Sequence, residues 1–140
     1  MNTAPNLQRF LDAQERNYQI ALEEIRHGRK KSHWIWYIFP QVHGLGSSET
    51  SRFYAIANMA EAVAYLEHPV LGSRLITISQ ALLQLNGRTA NQIFGNPDDM
   101  KLRSCMTLFA AINGTNPVFQ QVLDKYFDGQ ADEKTLAILG

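Results

Sequence analysis

A single cysteine, Cys105, stands in 140 residues, which excludes an internal disulfide and fits a reducing compartment. An excess of charge of one sign is also missing. Thirteen Lys and Arg balance thirteen Asp and Glu for a formal net charge of +0, so no global field draws the chain onto phosphate backbones or anionic lipid. Long apolar runs are absent too. The longest, Trp34 to Phe39, is far too short for a membrane span, and the polar N-terminus lacks the cationic start and apolar stretch of a secretory signal. The chain is therefore expected in the cytoplasm, with no membrane partner and with nucleic acid disfavoured. No alternating segment recurs, no hairpin signal separates two such segments, and no repeat or low-complexity tract is present. What remains is a chain with 45% hydrophobic residues, enough to bury a real core in one domain over residues 1–140.

Helical spacing fills most of that length. Leu7, Phe10, Leu11, Tyr18, Ala21, Leu22 and Ile25 form one apolar face between a capping Asn6 and a terminating Gly28, with a kink expected near Gln14. Asn58 to Glu61 reads as a capping box opening a short helix that ends near His68. Pro69 suits the first turn of the next helix, whose stripe of Leu71, Leu75, Ile78, Leu82 and Leu85 is widened by Val70, Ile76 and Leu83. A stripe that wide predicts a central helix contacted on several sides. Thr89, Asn96-Pro97, Asn116-Pro117 and Asp132 open four further helices, the first ending at Phe94-Gly95, the second near Asn113 and the third at Asp128-Gly129. The fold class is all-α, a compact domain of about seven or eight helices in an orthogonal or irregular bundle.

Against that background the stretch KKSHWIWYIFPQVHGLGSS, Lys30 to Ser48, holds an unusual share of the aromatic residues. Trp34 to Phe39 contains good strand formers, but a lone strand in a helical domain leaves its backbone groups unpaired, so a short buried helix capped by Ser32 and stopped by Pro40 is expected. Its apolar members are explained as core, since each aromatic removes about 150–250 Å² from water. Its polar members invite a second role: an aromatic wall from Trp34 and Trp36, with Gln41, His43, Ser47, Ser48 and Ser51 downstream, describes one side of a small-molecule pocket. Gly44 to Ser48 could form an anion-binding loop with Lys30 and Lys31 beside it, yet it matches neither the P-loop nor the dinucleotide fingerprint, and an ordinary turn followed by a helix cap is the commoner explanation. The basic run Arg26 to Lys31 invites a nucleic-acid reading that the balanced charge does not support; cations at a helix end complement its dipole.

The other candidates have structural explanations beside the chemical one. Asp98 and Asp99 suit the positive end of a helix dipole. Leu102, Cys105, Met106, Phe109 and Ile112 face inward together, which makes Cys105 a small core residue, while Lys101, Ser104 and Thr107 lie on another side that meets water or lines the aromatic pocket. The four histidines lack metal-ligand spacing, so no metal is assigned. His33 and His43 bracket the aromatic run and are the two suited to proton transfer. No motif calls for a cofactor.

The segments SHWIWYIFPQ, GLGSSETSRFYAI, EAVAYLEHPVLGSRL, DDMKLRSCMTLF and FQQVLDKYFDGQADEKTLAIL together resemble the bacterial domain-of-unknown-function family 1810 over nearly the whole chain. The likeness implies a compact helical fold and no established activity. Cys105 departs from it, in a place where a small residue such as Ser commonly follows Ser104. Members sometimes labelled calpastatin would be disordered inhibitors, which a patterned core contradicts. A looser likeness is to the NADAR family of ADP-ribose glycosidases, by fold-level analogy alone.

Two functions are therefore expected. The first is a ligand-binding protein whose pocket joins residues 31–54 to the polar side of the 98–107 helix. In it Trp34 and Trp36 stack on a nucleotide-like ligand, Lys31 and Lys101 meet its charge, and Ser47, Ser48 and Tyr54 orient it. By the NADAR analogy it would hydrolyse an N-glycosidic bond with Asp98, Asp99 or Glu49 as acid or base. The second is a protein-interaction module with part of the aromatic run exposed. The oligomeric state is left open, and no catalytic residue is fixed.

Overall fold

A computed structural model describes residues 6–140, among which the chain forms nine helices: α1 Gln8–Arg26, α2 Ile35–Ile38, α3 Glu49–Phe53, α4 Met59–Glu67, α5 Leu71–Gln84, α6 Ala90–Phe94, α7 Asp98–Ala110, α8 Val118–Phe127 and α9 Glu133–Leu139. They surround one continuous buried core running from Leu7 to Leu123. Eight of the nine were legible as helices. The ninth, α3, is a single short turn of helix whose cap is Ser48, the side chain accepting from the Ser51 amide at 3.1 Å.

Local capping sets most boundaries. Asn6 Oδ1 accepts the Gln8 amide at 3.0 Å, and Gly28, at φ +80°, closes α1 in the left-handed region that glycine tolerates. Thr89 and Gln92 form a reciprocal capping box on α6. Two details differ from expectation. Glu61 reaches back to the Ala57 amide at 2.9 Å and not to Asn58, because it is shared with the Arg9 guanidinium at 2.9 Å. Pro69 lies just ahead of α5, and the ring of His68 caps that helix, Nδ1 accepting the Val70 and Leu71 amides at 3.1 and 3.2 Å.

Packing explains the rest. α1 passes unbroken through Gln14, which is buried because its amide donates to the Tyr37 carbonyl at 2.7 Å and to the Tyr65 hydroxyl at 2.9 Å. α5 packs against α1, α4 and α8, as its wide stripe predicts. α7 is equally central, against α2, α4, α6, α8 and α9. Ser104 to Phe109 are all buried there. On its polar side Ser104 and Thr107 are buried and Lys101 is half-buried, and Thr107 borders only a small hollow of about 150 Å³ shared with Gln120 and Leu136, away from the aromatic run. Thr107 Oγ1 accepts the Asp132 amide at 2.8 Å, Ser104 donates to the Asp132 carboxylate at 3.2 Å, and Arg103 donates to the Gln130 and Ala131 carbonyls at 2.9 Å each. Those bonds tether α9, whose own cap is the same Asp132 carboxylate.

No element of the described residues is a strand. A single parallel bridge joins Val42 to Ile56, with His43 donating to the Ile56 carbonyl and Ile56 to the Gln41 carbonyl, both at 2.8 Å. It closes the loop that carries α3 back against α2. None of the described helices is long and apolar enough to cross a membrane.

Candidate functional site

Trp34 is the anchor of the aromatic run. It is 1% exposed, and its ring meets Phe39 and Phe94 at centroid distances of 6.1 and 6.3 Å. Ser32, expected to cap α2, is instead bound to Glu24. Glu24 Oε1 accepts the Lys31 amide at 2.7 Å, the Ser32 amide at 2.9 Å and the Trp34 indole N–H at 2.9 Å, while Oε2 accepts the Ser32 hydroxyl at 2.6 Å. Burial pushes the Glu24 carboxyl up, but the hydrogen bonds from Ser32, Lys31 and Trp34 outweigh it and hold the group at about 2, against an ordinary 4.5. A depressed folded pKa means that this carboxylate stabilises the fold in full above about pH 4.5, and that its contribution is lost as pH falls towards about 2. The urea midpoint of Glu24→Gln should therefore lie well below that of the unaltered protein at neutral pH and approach it in acid. A constant gap across that range would contradict the assignment.

The indole segment and the start of α7 do meet in space, through lysines. Lys30 Nζ lies 2.9 Å from Asp98 Oδ2 and 5.1 Å from the Trp34 ring centre. Lys101 Nζ lies 3.6 Å from Asp98 Oδ1 and 5.3 Å from the Trp36 ring centre. Lys30, not Lys31, makes the pair. Lys31 is exposed. With its indole N–H taken by Glu24 and its ring sealed in, Trp34 has no face to offer a ligand, and Asp98 is held between two ammonium groups. Asp99 is occupied by the Asn91 side chain at 3.3 Å and by the Met100 amide at 2.8 Å.

The remaining candidates scatter along the loop. His33 and His43 are exposed, Gln41 is half-buried, and the Ser47 carbonyl accepts from Arg52 at 2.7 Å. Ser48 is the α3 cap, and Ser104 belongs to the α9 tether. Of the original set, Tyr54 and Glu49 border an open space.

That space is a pair of hollows. One, of about 440 Å³, is lined by Arg9, Asp12, Arg16 and Asn17 of α1 together with Tyr37, Phe53 and Tyr54. The other, of about 520 Å³, is lined by Glu49 and Thr50 with the same three aromatics. Both volumes lie in the range of small-ligand sites. Tyr54 packs on Tyr37 at 5.1 Å, on Phe53 at 4.8 Å with rings near perpendicular, and on Phe10 at 6.0 Å. Phe53 is 60% exposed. The Tyr37 hydroxyl accepts from Asn17 at 2.9 Å and donates to the His33 carbonyl at 3.3 Å. Burial, and next the neighbouring Tyr54, push its pKa up, so it stays a neutral donor and acceptor at physiological pH.

Arg9, Asp12, Arg16 and Asn17 escaped the sequence reading. Their spacing was legible as a polar stripe beside the buried face of Phe10, Gln14 and Tyr18, and such a stripe ordinarily meets only water. Other hollows, of about 410 Å³ beside Arg26, Gln80 and Gln84 and about 380 Å³ beside Met59, Ile112 and Thr115, hold none of the candidate residues. Among the described residues no three His, Cys, Asp or Glu side chains are grouped to hold a metal ion.

Comparison with solved structures finds the crystal structure of the conserved hypothetical protein Rv1873 from Mycobacterium tuberculosis, with a TM-score of 0.94 and 46% identity over 96% of each chain. No curated protein matches. A family model described as "Protein of unknown function (DUF1810)" matches residues 4–139, nearly the whole chain, and the protein belongs to the DUF1810 family.

Proposed function

We propose that this protein binds a small nucleotide-like ligand in the groove between α1 and α3, and that it does so in the cytoplasm. The observation that supports it is the meeting of two ligand-sized hollows at Tyr37, Phe53 and Tyr54. Aromatic faces there provide stacking area, and Asn17, Arg16, Thr50 and the phenols provide hydrogen bonds to orient a planar polar molecule. The site thus keeps Tyr54 and Glu49 from the sequence expectation and exchanges the tryptophans for tyrosines. Nucleic acid stays outside the proposal, since the chain has no net charge and Lys30, in the basic run, is paired with Asp98.

Hydrolysis of an N-glycosidic bond in such a ligand would fall to Glu49, because Asp98 and Asp99 are already engaged and Glu49 borders the groove. The test is a nucleotide and metabolite panel followed by amide NMR shifts. Shifts are expected at residues 12–17, 37 and 49–54, and Tyr54→Ala should abolish them while Lys31→Ala leaves them unchanged. Glu49→Gln should stop any release of base. Uniform silence across the panel would instead favour a protein-interaction module, for which the 60% exposure of Phe53 beside open hollows is the supporting feature.

A further inference from the structure

We infer that the groove is bipartite, taking a ligand with an anionic group at its α1 end and a planar, hydrogen-bond-donating group at its α3 end; this rests on the small-ligand reading above. The two hollows share their aromatic divider but differ in chemistry. On the α1 side stand two arginines, of which one is spent. Arg9 donates to the Asn6 carbonyl at 2.7 Å and to the Ala55 carbonyl at 2.9 Å, and it is paired with Glu61 at 2.9 Å. Its charge is matched and its geometry fixed.

Arg16 is different. It makes no ion pair among the described residues, although it lines the hollow and is exposed. Asp12, one helical turn earlier, accepts from Gln8 at 2.8 Å on its own exposed side. An anion bound beside Arg16 would receive a charge-assisted fork from the guanidinium. Asp12 in the same hollow disfavours further negative charge close by, so a single phosphate group fits better than a polyphosphate.

On the α3 side no cation lines the hollow. Its polar members are the Glu49 carboxylate, an acceptor only, and the hydroxyls of Thr50, Tyr37 and Tyr54. A carboxylate there selects a partner that donates, such as a sugar hydroxyl or an exocyclic amine, and repels an anion. The Phe53 and Tyr54 rings between the two ends supply a face for a flat group. One orientation satisfies both ends, and the reverse one places like charges together.

Three probes separate these parts: inorganic phosphate, adenosine, and adenosine 5′-monophosphate. Adenosine should shift the amides of residues 49–54, phosphate those of residues 12–17, and the monophosphate both. The monophosphate should bind about tenfold more tightly than adenosine, the size expected of a hydrogen-bonded charged contact in a partly open site. Arg16→Gln, on an exposed helix face, should leave the melting temperature unchanged and erase that tenfold difference. Glu49→Gln should weaken adenosine and the monophosphate alike. Equal affinity for adenosine and the monophosphate, or a difference that survives Arg16→Gln, would overturn the bipartite assignment while leaving the groove a binding site. Silence from all three probes would remove the groove itself.

Discussion

Trp34→Ala is expected to lower the unfolding free energy by about 3–5 kcal/mol, the range for truncating a fully buried large aromatic. Two losses combine. The indole leaves a cavity against Phe39 and Phe94, and Glu24 loses one of the four donors that its carboxylate gathers from the segment after α1. Trp34→Phe should recover part of the packing and none of the indole hydrogen bond, so its cost should fall between those of the unaltered protein and Trp34→Ala. Urea unfolding followed by far-ultraviolet circular dichroism measures both. A Trp34→Ala protein as stable as the parent would mean that the indole is not the packing element described. Binding in the α1–α3 groove, measured on the fraction still folded, should be unaffected, because Trp34 lines neither hollow.

Gly72→Ala should also destabilise strongly, with a sign opposite to the ordinary rule. In a helix interior, alanine usually improves on glycine by about 0.5–1 kcal/mol. Here a Cβ at position 72 would sit 1.9 Å from the Leu66 carbonyl oxygen and 2.7 Å from its carbon. Both are backbone atoms, so neither can rotate away. The start of α5 would have to separate from the end of α4, breaking the Gly72 amide's bond to the His68 carbonyl at 2.9 Å or displacing buried Leu71 and Leu75. Overpacking of a rigid site costs about 1–3 kcal/mol and sometimes more, and the upper end is expected at so short a distance. A thermal melt would show it as a clear fall in midpoint. An unchanged or raised midpoint would mean that the two helices are not held at this separation.

The caps and stops of the chain were legible because their chemistry is local. Asn58, Thr89 and Asp132 each bond an amide three residues ahead, and Gly28 and Gly95 end helices with positive φ. A reader of the sequence needs only the next turn to see them. Ser32 shows where such reasoning stops: it has the composition of a cap, but the Glu24 carboxylate eight residues earlier outcompetes the amides of α2. The polar side of α7 shows the same limit. Ser104 and Thr107 have the spacing of a pocket lining, and only the arrival of Asp132 identifies them as a tether.

The aromatic run was rightly singled out as unusual, and its convergence with the Asp98 helix is real. What the run does there was not legible. The amphiphilic pattern of Trp34 and Trp36 is the same whether the rings face a ligand, a lysine or the interior. Which of these holds depends on Lys30 and Lys101 bridging through Asp98, and that pairing joins segments nearly seventy residues apart.

The amino-acid order by itself determined a helical chain with balanced charge, its turn positions and its inward stripes, since periodicity and capping act over one or two turns. Tertiary structure alone decided that the outer face of α1 should stand opposite Tyr37 and α3. A polar stripe becomes a binding wall only when another element is packed across from it, and that choice is made by the burial of Phe10, Gln14 and Tyr18 on the neighbouring face.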